Sequence, residues 1–92
     1  MKQEKFDEQI QILIKEIDDR FMEKKKELSN DKTLSKLEVI DTLIKHNNVM
    51  KSVYCAKYPD MATELKYMFY MVSIPLFECR EYVIKGDKIK FN

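Results

Sequence analysis

A single glycine, Gly86, and two prolines, Pro59 and Pro75, serve the whole 92-residue chain. Sandwiches and barrels of β-strands need turn residues at about every 8–12 positions. This chain cannot supply them, so it is confined to long helices with few reversals. Disorder is excluded by composition, because 45% of the residues are hydrophobic and the net charge is only +1. At this length the expectation is one small domain over 1–92 with a thin core, for which association with another chain is a common remedy.

The first helix is expected from about Lys2 to Leu28. Phe6, Ile10, Leu13, Ile14, Ile17, Phe21 and Leu28 recur at the helical period. Glu4, Lys5, Glu8, Lys15, Asp18, Glu23 and Lys26 take the opposite face. Lys24, Lys25 and Lys26 fall near the expected last turn, where cations oppose the helix dipole. The turn cluster Ser29-Asn30-Asp31 then reverses the chain, with Asn30 or Asp31 capping the next helix. So short a connection implies an antiparallel helical hairpin.

The second segment begins near Lys32 with Leu37, Ile40, Leu43 and Ile44 on its apolar face. The pattern weakens at His46-Asn47-Asn48 and resumes at Met50, Val53, Tyr54 and Cys55. Either one helix runs to Lys57 or the chain breaks near Asn47. The phase shared by Ile40, Leu43, Met50 and Tyr54 favours the unbroken helix. Tyr58-Pro59 ends it, since proline disfavours helix in the residue before it, and Asp60 is placed to cap the third helix.

That third helix is apolar nearly all round. Met61, Leu65, Met68 and Val72 form one stripe, and Tyr67, Phe69, Tyr70 and Met71 cover most of the remainder. Such a helix is either central to a core or part of an interface. Pro75 ends it or kinks it; the same rotation puts Leu76, Cys79 and Val83 back on the stripe, so a kinked helix reaching about Glu81 is compatible. Beyond, the period changes to that of strands. Tyr82-Val83-Ile84-Lys85 and Lys88-Ile89-Lys90-Phe91 flank Gly86-Asp87, which predicts a short C-terminal β-hairpin over about 82–91. The expected fold is therefore mainly α: a helical hairpin, a third apolar helix across it, and that β-hairpin.

Chemistry is sparse. His46 is the sole histidine, and with Cys55 and Cys79 it makes three soft or borderline metal ligands in total, short of a zinc set. The cysteines read as reduced, buried small hydrophobes. Carboxylate pairs such as Asp18-Asp19, Glu4 with Glu8 and Glu78 with Glu81 lie on polar helix faces, and one glycine cannot build a phosphate loop. No catalytic, cofactor or metal site is expected. The N-terminus has no apolar leader, and no apolar run approaches the ~18 residues of a membrane span. The expected location is the cytoplasm, without membrane partners.

Two binding readings follow. In the leading one, Tyr67, Tyr70, Met71 and Phe77 anchor a protein partner or a second copy of the chain. A short, charged, motif-poor chain rich in Lys, Ile and Asn fits a regulator or inhibitor of a larger protein, of the kind phages and mobile elements encode. In the alternative, helices followed by a basic hairpin resemble a winged-helix transcriptional regulator. Val39–Tyr58 would then be the helix-turn-helix, with Leu43, Val53 and Ala56 inside and Asn47 in the turn. Lys51, Ser52 and Lys57 would face DNA, and Lys85, Lys88 and Lys90 would line the wing. The near-neutral charge favours the protein-binding reading, since phosphate binders carry a basic excess.

Overall fold

The computed structural model describes the backbone of residues 2–90 and the side chains of residues 5–86. Three helices follow one another: α1 (Lys2–Asn30), α2 (Lys36–Lys57) and α3 (Ala62–Lys90), with a 3₁₀ turn at Pro59–Met61 leading into α3. No strand occurs among the described residues. The β-hairpin expected over about 82–91 is not supported, because α3 remains helical to Lys90; Phe91 lies outside the described residues. The two-residue period that suggested strands is too short to override a helix already in progress. Gly86 has open space around it and no positive φ, so nothing forces a turn there.

Helix α1 extends to Asn30, two residues past expectation. Lys24, Lys25 and Lys26 therefore precede the last turn, and Lys24 pairs along the helix with Glu27 at 3.7 Å. The cap of α2 also lies later than expected. Ser35 accepts from the Glu38 amide at 3.1 Å while Glu38 Oε1 accepts from the Ser35 amide at 3.1 Å. This reciprocal capping box satisfies two amides at once. Asp31 instead organises the connection, accepting from the Thr33 amide at 3.0 Å and the Thr33 hydroxyl at 2.6 Å. Those bonds hold its carboxyl below the usual range.

Helix α2 runs unbroken through His46-Asn47-Asn48 to Lys57. Asn47 is one of its buried residues, at 4% exposure, and donates from Nδ2 to the Phe69 carbonyl of α3 at 3.1 Å. A polar side chain tolerates such burial only when it is hydrogen-bonded. Asp60 sits within the 3₁₀ turn, so the expected cap is displaced. Pro75 lies inside α3 without ending it. Its missing N–H leaves one rung of the ladder unmade, and helix resumes on the far side.

The main core cluster joins all three helices. Leu13 and Ile17 of α1, Met50 and Tyr54 of α2, Met61, and Leu65 and Phe69 of α3 form one buried cluster. Phe6, Ile10, Cys55, Tyr58 and Met68 pack on its margin. Farther along α3, Arg80 Nε donates to Asp41 Oδ1 at 2.7 Å, tying the C-terminal half of α3 to the start of α2. The whole measures 60 × 22 × 19 Å with a radius of gyration of 16.0 Å. A compact domain of this length has a radius of about 12 Å. Three long helices in so thin an arrangement cannot all bury their apolar sides.

Candidate functional site

Helix α3 carries two apolar faces. One fills the core, where Leu65 is 0% and Phe69 1% exposed. The other is open to solvent: Tyr67 is 66%, Tyr70 62%, Met71 48% and Phe77 52% exposed. Successive helical residues rotate by about 100°, which puts the centre of this second stripe about 180° from the first. Ile74, half-buried, lies within it. From Tyr67 to Phe77 the stripe rises about 15 Å along the helix. Scattered exposed apolar residues are ordinary; these large ones share one helix face. The four anchors named from sequence are thus on one face.

The residues named for DNA binding do not assemble into the expected motif. Val39–Tyr58 contains no turn, because Asn47 is helical and buried. Val53 and Ala56, assigned to the inside, are exposed. Lys51, Ser52 and Lys57 are exposed along one uninterrupted helix, and Lys85 is exposed on α3. The side chains of Lys88 and Lys90 lie outside the described residues. Without a turn or a wing, the helix-turn-helix geometry that delivers side chains into a major groove is missing from the described residues.

A second apolar surface was not anticipated. Leu34, Val39 and Ile40 face Pro75, Cys79 and Val83 across an open groove between the start of α2 and the far half of α3. Cys79 is exposed rather than buried; Cys55 is half-buried, with its thiol 3.8 Å from the Ala62 carbonyl, and both are free thiols. The sequence signal was the helical phase of Cys79 with Val83, which the expected hairpin over about 82–91 separates.

Polar groups cluster where α1 meets α2. Burial and the Glu16 carboxylate raise the Tyr54 hydroxyl above the usual phenol range, and that hydroxyl donates to Glu16 Oε1 at 2.9 Å. Glu16 also meets Arg20 at 3.3 Å, and the Arg20 guanidinium stands 6.0 Å over the Tyr54 ring. Next to this network His46 packs beside Phe21, ring centroids 6.5 Å apart. Its Nε2 is enclosed without a hydrogen-bond partner. Desolvation, then the charge of Lys24, pushes the imidazole below its usual value. The fold therefore prefers neutral His46. Stability is expected to be full above the unfolded value of about 6.5 and to decline as pH falls below it, until the folded value is passed. Thermal melting between pH 7.5 and 5 checks this, and His46→Gln should flatten that part of the profile. An unchanged profile in the variant would assign the pH dependence to other groups.

Among the described residues, no three His, Cys, Asp or Glu side chains converge where a metal ion could sit. Among them, too, no helix is long and apolar enough to cross a membrane. Compared with protein-family models, with curated proteins and with solved structures, the chain matches none.

Proposed function

We propose that this chain is a non-enzymatic binding module that acts through the outer face of α3, as a self-assembling unit or as a regulator or inhibitor of a larger protein. One observation carries the reading: the helix that supplies Leu65 and Phe69 to the core presents Tyr67, Tyr70, Met71 and Phe77 on its opposite side. Tyrosine and methionine suit that role. Tyrosine offers a large rigid surface with a polar tip, and methionine adapts to irregular partners. Burying such side chains yields about 1.5–3 kcal/mol each for the large apolar ones, and a handful of them can dominate an interface.

The test separates binding from folding. A double variant, Tyr67→Glu with Tyr70→Glu, is expected to keep the helical circular dichroism of the parent. In the cell that makes the protein, the parent chain should run on gel filtration in a species larger than its own 11.1 kDa, and the variant as the free chain. A variant that stays folded and runs like the parent would remove the α3 face from binding.

A further inference from the structure

We infer that the occupant of the outer face of α3 is the same face of a second copy, running antiparallel about a twofold axis near Ile74; this rests on the reading of that face as a binding surface. Tyr67, Tyr70, Ile74, Phe77 and Glu81 are spaced alternately by three and four residues. That spacing is the seam of a paired helix, in which one stripe of side chains meets another. The four leading positions are apolar or aromatic, and the fifth is charged.

The charges beside the seam choose the occupant and its direction. Glu64 and Lys66 flank the N-terminal end of the stripe, Glu81 and Lys85 its C-terminal end, and all four are exposed. Among the described residues none of the four forms an ion pair within the chain. Rotation about Ile74 sets Glu64 of one copy beside Lys85 of the other. By the helical rotation of about 100° per residue, Glu64 and Lys85 lie to one side of the seam and Lys66 to the other, while Glu81 sits in the seam itself. Antiparallel helix pairs bring like sides together, so Glu64 meets Lys85, and twofold symmetry makes this opposite-charge pair twice. Arg80 would bring a like charge toward Lys66, but it is held by Asp41 at 2.7 Å. A parallel pair offers no such match: Lys66 would approach Met71, Ser73 would approach Glu78, and Arg80 would approach Lys85. Phe77 of one copy meets Met71 of the other, closing the row of anchors near the axis.

Light scattering of the purified full chain from about 10 to 300 µM, a range chosen for micromolar affinity, is expected to reach twice the 11.1 kDa chain mass. Glu64→Lys should weaken the dimer about tenfold, as should Lys85→Glu from the other end of the helix. Combining them should restore parental affinity. Circular dichroism checks that each variant is folded, and the two single variants guard against a loss of helix at either end. A chain that stays monomeric throughout overturns the second copy as occupant; the binding reading is then decided separately, by the Tyr67→Glu and Tyr70→Glu variant in its native cell. A dimer broken by that variant but indifferent to both charge reversals overturns the antiparallel register while keeping the binding face.

Discussion

Replacing Phe69 with alanine is expected to cost about 3–5 kcal/mol of folding stability. The side chain is 1% exposed and joins Leu65, Met61, Met50 and Tyr54 in the one buried cluster. Truncation removes most of a ring from close packing and leaves a void that rigid neighbouring helices fill only in part. A domain of this length has roughly 5–14 kcal/mol in all, and a thin one sits toward the low end. Urea denaturation followed by circular dichroism should show a much lower midpoint, with unfolded chain present before urea is added if the total is near the lower bound. A loss under about 1 kcal/mol would mean that the helices do not meet at Phe69 as described.

The second large effect is expected at Asn47. Asn47→Asp keeps the shape but exchanges the amide donor for an acceptor facing the Phe69 carbonyl, at a site only 4% exposed. Two acceptors then oppose one another unless the new carboxyl holds a proton. The cost at pH 7 is at least about 2 kcal/mol. Its pH dependence has a definite sign. Burial raises the carboxyl above its unfolded value of about 3.9, so the variant is least impaired below that pH. It loses stability as pH rises, until the folded value is passed. Asn47→Leu is the control: with donor and charge both absent, the Phe69 carbonyl keeps its own helical amide and the cost is smaller. Equal melting of Asn47→Asp and parent at pH 7 would remove the buried hydrogen bond from the description.

The helices were legible because their apolar periods are long. Seven apolar residues of α1 shared one arc; Leu13, Ile17 and Leu28 are buried as that pattern implied, whereas Ile14, at the edge of the arc, is exposed. The continuity of α2 followed from phase alone. What Asn47 does was not legible, since an asparagine in mid-helix reads as a cap or a break until a neighbouring helix offers a carbonyl. The same blind spot placed the α2 cap at Asn30 or Asp31, where Ser35 with Glu38 three residues later was the better capping pair. The tail misled for a different reason. Ile84 and Ile89 alternating with Lys85, Lys88 and Lys90 around Gly86-Asp87 satisfy local hairpin rules, but local preference yields when a helix is already propagating and each further residue adds a hydrogen bond. The exposed Tyr67, Tyr70, Met71 and Phe77 of α3 were legible in kind, as an excess of apolar surface on one helix. Which stripe would be left outside depended on how α2 packs, and sequence alone does not fix that.

The most direct measurement is urea denaturation of the Tyr67→Glu and Tyr70→Glu variant beside the parent, diluted until the parental midpoint no longer depends on protein concentration. If the outer face of α3 exists to meet another chain, the diluted variant should match the parent to within about 0.5 kcal/mol, as surface changes do, and only the concentrated parent should gain stability by association. A loss in the dilute variant approaching that of Phe69→Ala would contradict this, because it would make Tyr67 and Tyr70 part of the fold's own core.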